Sequence, residues 1–144
     1  MKNMLIEKLH HYGVALLLTA FSTMSLPVPA VYGQEQVGLR ERAEELYGRF
    51  EYANAAALYA KLADSRKPRL SDLERLAACY VRMNDYESAE NWYARVVAHE
   101  GSDAGNLLRY GEVLKMNGRY AEAKKQLEAY ASATGDRDRV SVEI

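Results

Sequence analysis

A single cysteine, three prolines and three histidines in 144 residues leave little raw material for site chemistry. One thiol, Cys79, excludes an intrachain disulfide and a cysteine metal cluster. His10 and His11 lie in the leading segment, so His99 is the one histidine beyond it. It stands beside Glu100 at an expected helix end, where a cation is favoured by the helix dipole. No Gly-rich phosphate loop, no HExxH and no DxDxDG run occurs. Acidic pairs such as Glu44 and Glu45 recur at helical spacing and form an ordinary polar face. No catalytic, cofactor or metal site is therefore expected, and the function expected is not enzymatic. Charge of one sign is missing too: 19 basic residues meet 20 acidic ones, a formal net charge of −1. Nothing in that balance recruits nucleic acid or an anionic membrane.

Long apolar runs are also scarce. Val14–Phe21 is strongly apolar but about half of the roughly 20 residues a membrane-spanning helix needs. Lys2 and Lys8 precede it, and Pro27, Pro29 and small residues follow. That order is the signature of a secretory signal peptide. The expected leader is 1–33, with cleavage after Ala30 or after Gly33. The exported product then has no stable membrane span, and its expected place is the periplasm, either soluble or held at the outer membrane through a partner.

Downstream, one pattern is written repeatedly at a spacing of 34 residues. Leu73 aligns with Leu107, Ala77 with Gly111, Tyr86 with Tyr120 and Ala89 with Ala123. Asn84 falls on Gly118, both tolerant of positive φ at a turn. A first, less regular copy places Leu39, Ala43, Leu46, Tyr52, Ala55 and Tyr59 in the same slots, with Phe50 where Asn84 and Gly118 stand. This period and these residue types are those of a tetratricopeptide (TPR) array, helix–turn–helix units stacked on one another. The expected class is all-α: a TPR-type α-solenoid over 34–135, with repeats at about 36–69, 70–103 and 104–137, and a polar tail over 136–144.

Local chemistry sets the expected helices at 36–48, 52–64, 71–83, 86–98, 104–117 and 120–133. Lys67-Pro68 ends the first hairpin. Ser71 and Glu74 read as a capping box opening the next helix, Asp103 as the cap after Gly101, and Gly135 as the final stop. Tyr52, Tyr86 and Tyr120 share one slot and Tyr59 and Tyr93 another, so these tyrosines read as packing rather than as a stacking platform. Cys79 reads as a small buried hydrophobe. For Trp92 two readings stand open: a contact residue, or cover for the back of the array.

In such a solenoid the first helix of each pair lines the concave side. The phase then nominates Arg40, Glu44 and Tyr47 in repeat one, Glu74, Arg75, Ala78 and Arg82 in repeat two, and Leu108, Arg109, Glu112 and Met116 in repeat three. Arg75, Arg82 and Arg109 are the best placed to take a partner carboxylate, since guanidinium binds it bidentately. Asn106 and Asn117 are the first-helix asparagines and sit at helix ends, which does not support a clamp for a terminal carboxylate. A second surface is expected on the unfinished last repeat, where Tyr120, Leu127 and Tyr130 would lie partly exposed and invite self-association or a partner helix.

The stretch Ala43–Leu62, AEELYGRFEYANAAALYAKL, soon after a leader and followed by two further units, resembles the N-terminal TPR block of OmpA-family cell-envelope proteins associated with the type IX secretion system. In that family the block precedes a β-propeller-like region and a peptidoglycan-binding domain. Neither is present up to Ile144, so peptidoglycan binding is not carried over. The resemblance implies a scaffold or adaptor in the bacterial envelope, linked to outer-membrane or secretion-system assembly, whose partner is another envelope protein or peptide. The alternatives are a truncated remnant or an assembly subunit completed by a partner helix, and, behind these, an accessory to a cell-wall enzyme.

Export makes the first testable statement. Intact-mass analysis of the periplasmic fraction should find a chain beginning at Val31 or Gln34; a chain that keeps Met1 contradicts it.

Overall fold

The computed structural model describes residues 28–136. Six helices follow one another: α1 Val28–Gly48, α2 Tyr52–Ala63, α3 Leu70–Arg82, α4 Tyr86–Ala98, α5 Ala104–Met116 and α6 Tyr120–Thr134. No strand occurs among the described residues. They form three hairpins, α1–α2, α3–α4 and α5–α6, in the order the 34-residue period requires. Helix α1 starts ahead of the expected residue 36. Its residues 28–34 belong to a leading unit of the chain, and the packed unit begins at Glu35. Residues 33–38 are exposed, and burial begins only at Leu39. The expected cleavage points, after Ala30 and Gly33, fall on this leading stretch of helix.

Each hairpin turns on the same backbone device. The second residue after the first helix takes a left-handed conformation, with φ of 64° at Phe50, 59° at Asn84 and 74° at Gly118. In every copy its N–H donates to the carbonyl three residues back, and the next N–H donates five residues back. The second of these bonds are Glu51 to Leu46 at 2.9 Å, Asp85 to Tyr80 at 2.9 Å and Arg119 to Leu114 at 2.8 Å. This is the Schellman closure, which satisfies carbonyls that the helix end leaves open. Phe50 adopts it despite its Cβ, at a cost of about 1–2 kcal/mol that glycine avoids, and its ring is exposed. Packing of the hairpin thus overrides local preference.

Of the two N-caps read from the sequence, Asp103 and Ser71, only Asp103 is observed, and Asp85 is a further one. Asp85 and Asp103 cap α4 and α5, accepting from the N–H of Ser88 and Asn106, each at 3.1 Å. Ser71 does not cap α3. The cap is Arg69, extended after Pro68 with ψ 142°, and its side chain makes no capping bond. With Arg69 outside the helix, Ser71 lies within the first turn and Glu74 turns to Asn106 instead. Gly135 ends α6 in the left-handed conformation, φ 77°.

Small residues let the helices of each hairpin approach. Ala55 and Ala89 are fully buried and Ala123 is 1% exposed. Gly111, in the slot of Ala77, is closer still: a Cβ there would lie 2.9 Å from the Leu127 Cγ. That contact corrects the reading of the last repeat. Leu127 and Tyr130 are buried, forming a second core cluster with Leu108, because they face α5 inside the hairpin rather than a missing neighbour. Tyr120 alone is exposed, at 69%. Lys124, Lys125 and Glu128 are exposed on α6, so the last helix supplies its own polar face. The stripe expected for self-association is not formed; the alternative cover, Val140–Ile144, lies outside the described residues.

Polar links join successive hairpins at one pair of slots. Arg40 on α1 donates through Nε and Nη2 to both oxygens of Asp72 on α3, each at 2.7 Å, and the Asp72 side chain is only 3% exposed. Asp72 sits in the first turn of α3, where the helix dipole favours an anion. Thirty-four residues on, Glu74 and Asn106 occupy the same two slots, and Asn106 Nδ2 donates to Glu74 Oε1 at 2.7 Å. Asp72 and Asn106 are both buried, at 2% and 0% exposure.

Removing Asp72 leaves the largely desolvated Arg40 guanidinium, 17% exposed, without its partner, so Asp72→Ala should cost about 3 kcal/mol. Urea unfolding followed by circular dichroism reads this as a lower midpoint; a midpoint equal to that of the native chain contradicts it.

Candidate functional site

The first helices of the three hairpins enclose an open groove of about 760 Å³. Its wall includes Glu44 and Tyr47 from α1, Ser71, Glu74, Arg75, Ala78, Val81 and Arg82 from α3, and Asn106, Arg109, Glu112, Val113 and Met116 from α5. Tyr86 and Tyr93 of α4 reach it as well. Nine of the eleven residues nominated from the repeat phase meet here: Glu44, Tyr47, Glu74, Arg75, Ala78, Arg82, Arg109, Glu112 and Met116. Arg40 does not. Its guanidinium is committed to Asp72 between hairpins, so it holds the array together instead of facing a partner. Leu108 is likewise withdrawn, at 7% exposure, into the core of hairpin three.

The groove has distinct ends because its helices run in parallel register. Near the helix starts, Asn106 is the centre of a polar network. It donates to Glu74 Oε1 at 2.7 Å and to Ser102 Oγ at 3.2 Å, and its Oδ1 accepts from Arg109 Nη1 at 3.1 Å. Near the helix ends the wall carries Tyr47, Val81, Arg82, Tyr86 and Met116, and Met116 is 60% exposed. Between them Arg75 donates through Nε to Glu44 Oε1 at 3.0 Å and lies over the Tyr47 ring, 4.7 Å from its centroid. Burial works against the charge on Arg75, and the Glu44 carboxylate more than offsets it, so the guanidinium is held above its ordinary range. Arg82 is also raised, chiefly by the Tyr47 phenol beside it.

Asn106 and Ser71 are wall residues that the repeat phase did not nominate. Asn106 was visible as a helix-end asparagine; its alignment with Asp72 at the 34-residue offset is the signal that marks it as a buried inter-hairpin polar group. Tyr93 was assigned to packing and is 4% exposed, yet it still borders the groove. Burial pushes its phenol above the ordinary tyrosine range.

Outside the groove, the remaining chemical residues serve structure. Cys79 is fully buried, and burial pushes its thiol up to about 11, away from nucleophilic use. His99 follows α4, its Nε2 3.2 Å from the Pro68 carbonyl and its Nδ1 2.6 Å from that of Glu100, joining two connectors. Trp92 packs on the main core with the Arg95 guanidinium 4.4 Å from its ring centroid, which favours cover for the back over contact in the groove. Among the described residues no group of three His, Cys, Asp or Glu is placed to hold a metal, and no helix is long and apolar enough to cross a membrane.

No protein-family model matches the chain. Solved structures do. The Yersinia enterocolitica type III secretion chaperone SycD, in complex with a peptide of the translocator YopD, superposes with a TM-score of 0.67 at 20% identity, covering 76% of this chain and 89% of that one. The second TPR domain of human RPAP3, in complex with an HSP70 peptide, gives 0.66 at 19% identity over 77% of this chain and 92% of that one. PcrH in complex with the chaperone-binding region of PopB gives 0.66 at 13% identity over 77% and 95%. At these identities the likeness establishes the fold: this chain is a TPR-type helical repeat.

Proposed function

We propose that the chain is a non-catalytic protein-interaction module that binds an extended segment of a partner protein in the groove between α1, α3 and α5. The observation that carries this reading is the convergence of side chains from all three first helices on one open concavity, with arginines, carboxylates and aromatic rings interleaved along it. Such a wall offers hydrogen bonds and ion pairs to a peptide, plus apolar contact for one or two of its side chains. The peptide complexes formed by SycD, RPAP3 and PcrH support the reading by analogy of fold. The leader-like segment and the resemblance to envelope TPR blocks make the periplasm the proposed setting and an envelope protein the proposed partner, with a role in outer-membrane or secretion-system assembly.

A phage-displayed dodecapeptide library selected on the native chain tests this. Selected peptides should lose about tenfold or more in affinity with Arg82→Glu or Met116→Glu, both on exposed groove positions, and should keep it with Lys61→Glu on the exposed face of α2. Peptides that bind all three variants alike contradict the groove.

A further inference from the structure

The internal repeat supplies its own control experiment. Between hairpins one and two, Glu44 on α1 and Arg75 on α3 form an ion pair near Tyr59 of α2, whose buried hydroxyl has no hydrogen-bond partner among the described residues. Tyr59 is fully buried and takes no part in the groove wall. Thirty-four residues on, the same slots hold Ala78, Arg109 and Tyr93. The arginine and the tyrosine are kept; the carboxylate is replaced by a methyl group. Arg109 then has a single neutral partner among the described residues, the Asn106 Oδ1, and no ion pair. Glu112 lies one turn further along α5 and does not pair with it. Tyr93, where the bridge is missing, borders the groove.

We infer, building on the groove reading above, that the slot vacated at Ala78 is the anchoring subsite for the partner, and that it takes an acidic side chain, Asp or Glu, which pairs with Arg109 as Glu44 pairs with Arg75. An arginine presents five N–H donors in a planar fork, and one of them is used by Asn106, so the fork can still hold a carboxylate. A side-chain carboxylate fits better than a chain terminus. Clamping a terminus calls for further donors around its two oxygens, and both amide hydrogens of Asn106 are spent on Glu74 and Ser102. The groove is also open, so a segment crosses it with its ends outside. Hairpins one and two carry an internally satisfied version of the contact, and hairpins two and three present the unsatisfied one.

The test uses the full chain and three synthetic leucine-flanked nonapeptides: one amidated with a central glutamate, one amidated with glutamine there, and the glutamine peptide with a free carboxyl end. Titrations followed by backbone amide and arginine Nε resonances read both affinity and place. The glutamate peptide should bind about tenfold or more tightly than either glutamine peptide and should shift the Arg109 Nε signal. Ala78→Glu, which fills the slot from within, and Arg109→Gln should each abolish the advantage while circular dichroism stays unchanged. Equal binding of the glutamate and glutamine peptides at the groove overturns the acidic subsite and leaves the groove reading in place. Tightest binding by the free-carboxyl peptide overturns the side-chain assignment. An undiminished glutamate preference in Ala78→Glu, or no groove response to any of the three, also overturns the inference; the library selection then decides the groove reading separately.

Discussion

The array depends on a pair of polar slots, one of them buried, that register each first helix against the next. Stacked helices with apolar faces slide past one another at little cost, because dispersion and burial are non-directional. A bidentate Arg40–Asp72 contact at 2.7 Å is directional, and it is made where the carboxylate is almost wholly out of water. Glu74 and Asn106 repeat the link with donor and acceptor exchanged and with one charge removed. Misregister leaves a charge or an amide unpaired in the interior, at a penalty of roughly 1–3 kcal/mol for each group. These links hold α1, α3 and α5 side by side, and the groove is the space those three helices enclose.

Much of this was legible because the code is periodic. The alignment of Ala77 with Gly111, of Ala89 with Ala123 and of Asn84 with Gly118 fixed the hairpins, the close approaches and the turns, and the helix phase placed most of the groove wall. What escaped was set by pairwise geometry across the repeat boundary. Arg40 has the phase of a groove residue, yet Asp72, 32 positions later, captures it. Leu127 and Tyr130 have the phase of an unfinished face, yet the missing Cβ of Gly111 draws Leu127 into the hairpin. Ser71 fits a capping box, but the extended backbone after Pro68 moves the helix start so that Arg69 is the cap. Phe50 looked like an irregularity and takes the same left-handed turn as its counterparts, with the strain borne locally.

Where repeats of one chain share a backbone, their differences in sequence are the informative part. Tyr59 and Tyr93 lie in one slot, as do Arg75 and Arg109; the exchange of Glu44 for Ala78 is what separates a self-satisfied surface from an open one. A guanidinium in a partly desolvated wall gains most from a carboxylate brought to it. In this view the groove is not uniformly receptive, and its two halves play different parts: one maintains the wall, the other receives the partner.

The most direct measurement needs no partner: a crystal structure of the full chain carrying Ala78→Glu. If the slots are equivalent, the introduced carboxylate will pair with Arg109 and Tyr93 will leave the groove wall, matching the arrangement of the Glu44–Arg75 bridge and the buried Tyr59. An introduced side chain that extends into solvent, with Arg109 still bonded to Asn106 alone and Tyr93 still bordering the groove, would contradict the account.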